Sequence, residues 1–160
     1  MRSQGRAVTL ALVLTAVAAG RAQAQTSEWH FGPHILYNFD VKEFGVGAQF
    51  GLPIASHLEF YPSFDYYFVS PGSLWALNAD LKYRFSGRGL NWLYVGSGLN
   101  LTRSSAGSFS NTDVNLNLIG GVESLRGRVH PFGEFRVIVG NGSSAQIAAG
   151  LNITLGGRHR

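Results

Sequence analysis

The chain of 160 residues contains 13 lysine and arginine residues, 9 aspartate and glutamate residues, and no cysteine. Arg2, Arg6 and Arg21 belong to the first 24 positions, so the remainder carries 10 basic residues against 9 acidic ones. A nearly neutral chain without a basic cluster is not expected to bind nucleic acid. The absence of cysteine excludes disulfide bridges and thiolate metal sites.

The first predicted element is an export signal. A basic start precedes an apolar stretch over 7–19, and Ala22-Gln23-Ala24 follows as a small-x-small cleavage sequence. This order is typical of a secretory signal peptide, and the stretch is shorter than the roughly 20 apolar residues that a spanning helix requires. We therefore predict a signal peptide over 1–24, cleavage before Gln25, and one exported domain over 25–160.

Eight strands are predicted after the signal, because segments of about ten residues alternate apolar and polar positions between turn residues. In the clearest segment, Trp75, Leu77 and Leu81 fall on one face, and Asp80 and Lys82 fall on the other. The predicted strands cover 29–39, 44–52, 58–69, 74–85, 90–102, 114–122, 129–139 and 146–155. This repeated pattern predicts an all-β fold, a closed antiparallel up-and-down eight-stranded transmembrane β-barrel.

The connections predict strand registers, since a shift of one residue would move every side chain to the wrong face. Short turns are predicted at Pro71-Gly72, Arg126-Gly127 and 140–142. The resulting polar pairs are Glu59 with Arg84, Glu123 with His130, and Arg136 with Gln146. Pro33 predicts a bulge because it cannot donate to the ladder, and 103–112 predict the longest surface loop.

The apolar face of the predicted barrel is expected to meet lipid. The opposite face is small and polar, which suits the narrow interior of an eight-stranded barrel. A lysine or arginine facing lipid at mid-bilayer would cost about 2–4 kcal/mol. The charged side chains predicted to form an interior network are Glu59, Asp80, Lys82, Arg84, Glu123, His130, Glu134 and Arg136. We interpret the network as a plug that sets the strand register, with a proton- or ion-conducting gate as the alternative.

Aromatic residues gather at the ends of the predicted strands, where the two membrane interfaces would lie. The predicted girdle consists of Trp29, Phe31, Tyr37, Phe39, Phe44, Phe68, Trp75, Tyr83 and Phe85. This placement favours a membrane barrel over a soluble one.

Over about 28–155 the chain resembles the small eight-stranded outer-membrane barrels of the OmpA/OmpX-like group. Those proteins carry an assembly signal, a glycine followed at fixed spacing by two hydrophobic positions. Gly150, Ile153 and Leu155 have that spacing here, with aliphatic residues in place of the usual aromatic ones. The resemblance implies a bacterial outer-membrane protein that contacts outer-membrane lipid, is delivered by periplasmic chaperones and the barrel-assembly machinery, and remains a monomer.

No sequence pattern predicts catalysis or a cofactor. The histidines show no metal-ligand spacing, and none is followed two residues later by serine, the pair that outer-membrane lipid A deacylases use on a similar scaffold. The leading hypothesis is a non-enzymatic integral outer-membrane barrel with a structural, adhesion or weak porin-like role in the envelope. The alternatives are a soluble exported barrel that binds a small apolar ligand, similar to lipocalins, and a lipid-modifying enzyme whose serine and histidine come from different strands.

Overall fold

The computed structural model describes residues 28–87, 89–141 and 143–155. These residues form eight strands: β1 (Trp29–Asn38), β2 (Glu43–Ala55), β3 (Leu58–Tyr67), β4 (Ser73–Arg84), β5 (Leu93–Ala106), β6 (Phe109–Glu123), β7 (Val129–Val139) and β8 (Ser144–Leu155). The predicted signal peptide and its cleavage site between Ala24 and Gln25 lie outside the described residues.

The strands form a closed barrel in which each strand pairs antiparallel with its neighbours in sequence. The barrel closes between β1 and β8, where Trp29 pairs with Leu155 and Tyr37 with Ile147. The predicted closed antiparallel up-and-down barrel is therefore confirmed. We call the end at Trp29 and Leu155 the terminal rim, and the opposite end, where β1 continues into β2, the loop rim.

The predicted orientation of the two faces is also confirmed. Leu77 on β4 and Leu116 on β6 point outward with 48% and 44% of their surfaces exposed. Lys82 and Arg136 point inward with 5% exposed. Strand alternation places every second residue inside, so the polar phase of each strand forms the interior.

Two of the three predicted registers are wrong by two residues. Glu59 pairs with Lys82 instead of Arg84, and Glu123 pairs with Phe132 instead of His130. In both hairpins the connection is longer than the predicted two-residue turn. A shift of two preserves which face each side chain occupies, so the inward and outward assignments survive. The third predicted pair, Arg136 with Gln146, is confirmed.

The predicted surface loop at 103–112 is strand. Pairing of β5 with β6 continues from Arg103–Thr112 to Ala106–Phe109, so only Gly107 and Ser108 form the turn. Gly107 has a φ of 60°, a conformation that glycine adopts without steric cost. The serine, threonine and asparagine residues of this segment are compatible with an exposed hairpin, because its backbone groups pair with each other while most of the side chains remain in water.

The predicted bulge at Pro33 is also wrong. Pro33 stays in register with Ala48, and the register shift lies on β2 between Pro53 and Ala55. At the opposite edge of β1, the backbone of Pro33 lies close to Gly150 on β8. A Cβ atom on Gly150 would collide with the Pro33 carbonyl oxygen, so this position requires glycine to close the barrel.

Candidate functional site: the charged interior

Two strands that are three positions apart in the barrel supply the centre of the interior. The inward phase of β4 presents Asp80 and Lys82, and the inward phase of β7 presents Glu134 and Arg136. Their exposed fractions are between 0% and 5%. Because β4 and β7 are not neighbours in the sheet, only closure of the barrel brings these four charged groups together.

Glu134 is the centre of this cluster. One of its carboxylate oxygens accepts a hydrogen bond from Lys82 Nζ at 2.5 Å, and the other accepts one from Arg136 Nη2 at 2.9 Å. Tyr94 donates its hydroxyl to the same carboxylate at 2.9 Å. Three donors therefore satisfy one buried carboxylate, which is what a buried charge requires.

Arg136 connects this carboxylate to two others. Its guanidinium lies 3.1 Å from Asp80 and 3.4 Å from Asp65. Asp65, in turn, contacts His34 Nε2 at 2.8 Å. The arginine thus forms ion pairs with side chains of β3, β4 and β7, and so links these strands through the lumen.

Aromatic rings surround the ammonium group of Lys82. Its Nζ lies 4.3 Å from the centroid of the Tyr61 ring and 5.2 Å from that of Tyr94. Gln49 accepts a further hydrogen bond from Nζ at 3.1 Å. Cation–π contacts and charge-assisted hydrogen bonds together replace the water that the lysine would otherwise bind.

A second charged cluster lies nearer the terminal rim. Arg84 Nη2 pairs with Glu123 at 2.7 Å and lies 3.7 Å from Glu59. Asn152 donates to the second oxygen of Glu123 at 2.9 Å, and His130 Nδ1 lies 3.5 Å from that oxygen. The eight predicted network residues therefore form two clusters, which Gln49 and Asn152 connect by hydrogen bonds from Lys82 to Glu123.

We expect the two carboxylates near Arg84 to differ in their contribution to stability. Glu123→Gln removes the 2.7 Å buried pair and is expected to lower the free energy of unfolding by about 1.5–3 kcal/mol. Glu59→Gln removes the 3.7 Å, partly exposed ion pair and keeps an amide oxygen to accept the Tyr61 hydroxyl, with an expected cost below about 1 kcal/mol. Urea unfolding of both variants in the same lipid vesicles gives the comparison. A larger loss for Glu59→Gln would contradict this geometry and favour the predicted pairing of Glu59 with Arg84.

Several interior residues outside the predicted network join its charged groups. Asn117 donates to Asp80 at 2.8 Å, and Asn78 donates to Asp65 at 2.9 Å. These additional residues are Gln49, Tyr61, Asp65, Asn78, Tyr94, Asn100 and Asn117. Their inward phase was available in the sequence, because each lies an even number of residues from another inward residue of its strand.

The interior is densely filled between the rims. Near the terminal rim, the space beside Tyr61, Lys82 and Glu123 measures about 10 Å³, roughly the volume that one water occupies. The loop rim opens into a polar bowl of about 230 Å³ that is lined in part by Asn38 and Asp113. These side chains leave no wide aqueous passage in the described part of the barrel.

The predicted aromatic girdle residues lie at the two rims. The terminal rim carries Trp29, Phe31, Tyr83 and Phe85, and the loop rim carries Tyr37, Phe39, Phe44, Phe68 and Trp75. Neighbouring rings contact each other, as in Tyr37 with Phe44 at 4.9 Å between centroids. Of the predicted assembly signal, Ile153 and Leu155 point outward at the terminal rim, and Gly150 lies on the inward phase of β8.

The histidines of the barrel interior have defined partners. His34 contacts Asp65 and the Gly32 carbonyl, while His130 contacts the Gly127 carbonyl. Neither contact supplies the serine hydroxyl of a catalytic triad. In residues 28–87, 89–141 and 143–155, no three His, Asp or Glu side chains are grouped to hold a metal ion, and no helix is long and apolar enough to span a membrane.

Comparison with known proteins identifies the fold. Neither a protein-family model nor a curated protein sequence matches the chain. The N-terminal β-barrel domain of Pseudomonas aeruginosa OprF matches with a TM-score of 0.66 at 14% identity, over 81% of this chain and 98% of that domain. Neisserial surface protein A matches with a TM-score of 0.57 at 18% identity, over 80% of this chain and 96% of its own.

A third match is Ail, the attachment invasion locus protein of Yersinia pestis, in complex with the heparin analogue sucrose octasulfate. Its TM-score is 0.55 at 10% identity, over 81% of this chain and 99% of its own. All three are eight-stranded outer-membrane barrels. The predicted resemblance to small outer-membrane barrels is therefore confirmed at the level of the fold.

Proposed function

We propose that this chain is an integral outer-membrane β-barrel with a closed lumen, serving a structural or adhesion role in the bacterial envelope. The observation that carries the proposal is the inverted distribution of polarity. Large apolar side chains cover the outside, among them Ile35, Leu99 and Val114 with 60–64% of their surfaces exposed, and the ion pairs lie inside. Such an outer surface is stable in lipid and costly in water.

Strand length supports the same assignment. The strands contain 10 to 15 residues, and a tilted strand needs about 9–11 residues to cross a bilayer. The outward positions of β4 from Trp75 to Tyr83 cover about 27 Å along the strand at 3.4 Å per residue. With a tilt of about 40°, this becomes roughly 21 Å, comparable to the apolar band of about 25 Å on outer-membrane barrels.

The filled lumen favours a structural or adhesion role over solute passage and over catalysis. Lys82, Glu134 and Arg136 occupy the centre with their charges paired to each other, so a solute would have to break these pairs to pass. The polar bowl at the loop rim and the projecting β5–β6 hairpin then provide the surface for contact with a partner. Export by the predicted signal peptide and delivery by the assembly machinery belong to this proposal.

Electrophoresis and cell fractionation test the proposal against the soluble lipocalin-like alternative. We expect the exported chain to sediment with outer membranes, and to migrate in cold SDS as a folded species that changes mobility on boiling. The lipocalin-like alternative requires an apolar ligand cavity, whereas the interior here is polar and charged. Recovery of the folded chain in the soluble periplasmic fraction would contradict the proposal.

A further inference from the structure

The outer surface of β6 and β7 has a groove at the terminal rim. It measures about 630 Å³ and is lined by Trp92, Val122, Leu125, Arg126, Pro131 and Gly133, among others. The residues lining it are mainly apolar on the barrel wall and become polar or charged at the rim, where Asn91, Glu123, Ser124 and Arg126 contribute. This gradient matches the change from acyl chain to headgroup across a membrane interface.

Two outward glycines leave the wall of the barrel open beside the groove. Gly120 pairs with Phe135, and Gly133 pairs with Val122, so the two glycines lie diagonally across the β6–β7 ladder. A Cβ atom on Gly120 would meet nothing within 4 Å, and one on Gly133 would meet only Val122, at 3.8 Å. The wall is therefore recessed here by the absence of side chains, between the larger side chains of Val122 and Phe135.

One basic side chain, Arg126, lines the groove, and Arg128 follows two residues later in the same connection. Arg126 and Arg128 lie in the β6–β7 connection and are exposed. Neither forms an ion pair within the described part of the chain, and the nearby Glu123 is buried and paired with Arg84. Two guanidinium groups without a protein carboxylate can bind a phosphate, for which their planar donors are suited.

Trp92 lines the groove and indicates that the groove lies at the depth of the membrane interface. Its indole Nε1 donates to the Gly89 carbonyl at 2.5 Å, and its ring is 46% exposed. Tryptophan prefers the membrane interface, where its ring meets apolar groups and its N–H is satisfied. A molecule that lies against this indole within a membrane has its headgroup near the arginines and its chain over the glycines.

We propose that this groove is a binding site for one anionic phospholipid. The phosphate pairs with Arg126 and Arg128, and an acyl chain lies in the recess over Gly133 and Gly120. The inference rests on the proposed membrane location of the barrel. It goes beyond that location because it assigns one lipid class to one position on the circumference, where the groove and the unpaired positive charges coincide.

The test measures quenching of Trp92 fluorescence by brominated lipids in nanodiscs of phosphatidylcholine. Trp29→Phe with Trp75→Phe leaves Trp92 as the reporter, and Trp75→Phe with Trp92→Phe leaves Trp29 as a control at the same rim. Two samples are compared, in each of which about one lipid in ten carries bromine. In one sample this lipid is phosphatidylglycerol, and in the other it is phosphatidylcholine. We expect phosphatidylglycerol to be enriched at Trp92 by about fivefold for each arginine, and Trp29 to be quenched equally by both lipids.

Matched variants test which residues produce the preference for phosphatidylglycerol. In the Trp92 reporter, Arg126→Gln with Arg128→Gln should abolish the preference for phosphatidylglycerol. Lys42→Gln with Arg103→Gln removes the same charge at the loop rim and should leave the preference intact. Gly133→Leu fills the recess without a steric conflict at Cβ and should lower quenching by brominated acyl chains.

The outcomes separate this inference from the proposed function. Equal quenching of Trp92 by both lipids would overturn the phospholipid site and leave the membrane barrel standing. Quenching of Trp29 without quenching of Trp92 would overturn the site as well, and would indicate that another protein surface covers the groove. If no brominated lipid quenches either tryptophan, the membrane location itself is wrong and the inference fails with it.

Discussion

Glu134→Ala is expected to lower the free energy of unfolding by about 3–5 kcal/mol, because it leaves two cations buried without their shared carboxylate. Lys82 loses its 2.5 Å partner, while Arg136 keeps Asp80 and Asp65. The uncompensated charge therefore falls mainly on the lysine, which is 5% exposed. Urea unfolding of the wild type and the variant in lipid vesicles measures the difference.

Glu43→Ala provides the matched control for this substitution. Glu43 begins β2 at the loop rim and is only partly buried, so the same truncation should change the free energy of unfolding by about 0.5 kcal/mol or less. Combining Glu134→Leu with Lys82→Met replaces the pair by apolar side chains and should recover part of the loss. A cost below about 1 kcal/mol for Glu134→Ala would show that water reaches Lys82 and that the lumen is not a dry plug.

Leu77→Arg is expected to destabilise the barrel in lipid by about 1–3 kcal/mol, because it places a charge inside the lipid-facing band, between its middle and the loop rim. Leu77 is the first outward residue of β4 after Trp75 and is exposed. Leu155→Arg at the terminal rim makes the same change near the interface, where the cost falls to about 0–1 kcal/mol. Unfolding free energies of both variants in vesicles test this dependence on depth.

The size of the Leu77→Arg effect shows whether the outer face of the barrel meets lipid or water. On a water-exposed face, an arginine would replace an unfavourable exposed leucine and leave stability nearly unchanged. Equal, small effects for Leu77→Arg and Leu155→Arg would therefore remove the support for a lipid-facing surface. The prediction depends only on which medium the outer face meets, and it is independent of how the lumen charges are paired.

Alternation along the chain was sufficient to predict the barrel and its two faces. Leu77 and Leu116 were expected outside, and Lys82 and Arg136 inside, because side-chain direction in a strand has a period of two whatever the partner strand is. The clear alternation of β4, with Asp80 and Lys82 opposite Leu77, is the alternation that the structure shows. This property is local, and a single sequence contains it in full.

Strand register depended on the lengths of the connections, which local sequence predicted poorly. Pro71-Gly72 and Arg126-Gly127 have the composition of tight turns, yet both hairpins close two residues away from those predictions. Conversely, the polar run 103–112 resembled a loop but pairs as strand down to Gly107 and Ser108. Backbone hydrogen bonding can extend a hairpin through residues whose side chains remain in water, so polarity alone did not identify its end.

The sequence by itself determined that the chain forms about eight strands, each with one apolar face and one polar, charged face. Only the tertiary structure decided that Glu134 lies between Lys82 and Arg136, that Arg84 pairs closely with Glu123, and that Asp65 belongs to the same network. Apart from Glu134 with Arg136, which share β7, these contacts join strands that are not neighbours in the sheet. Their geometry arises when β1 meets β8 and the sheet becomes a tube, a condition that no local segment contains.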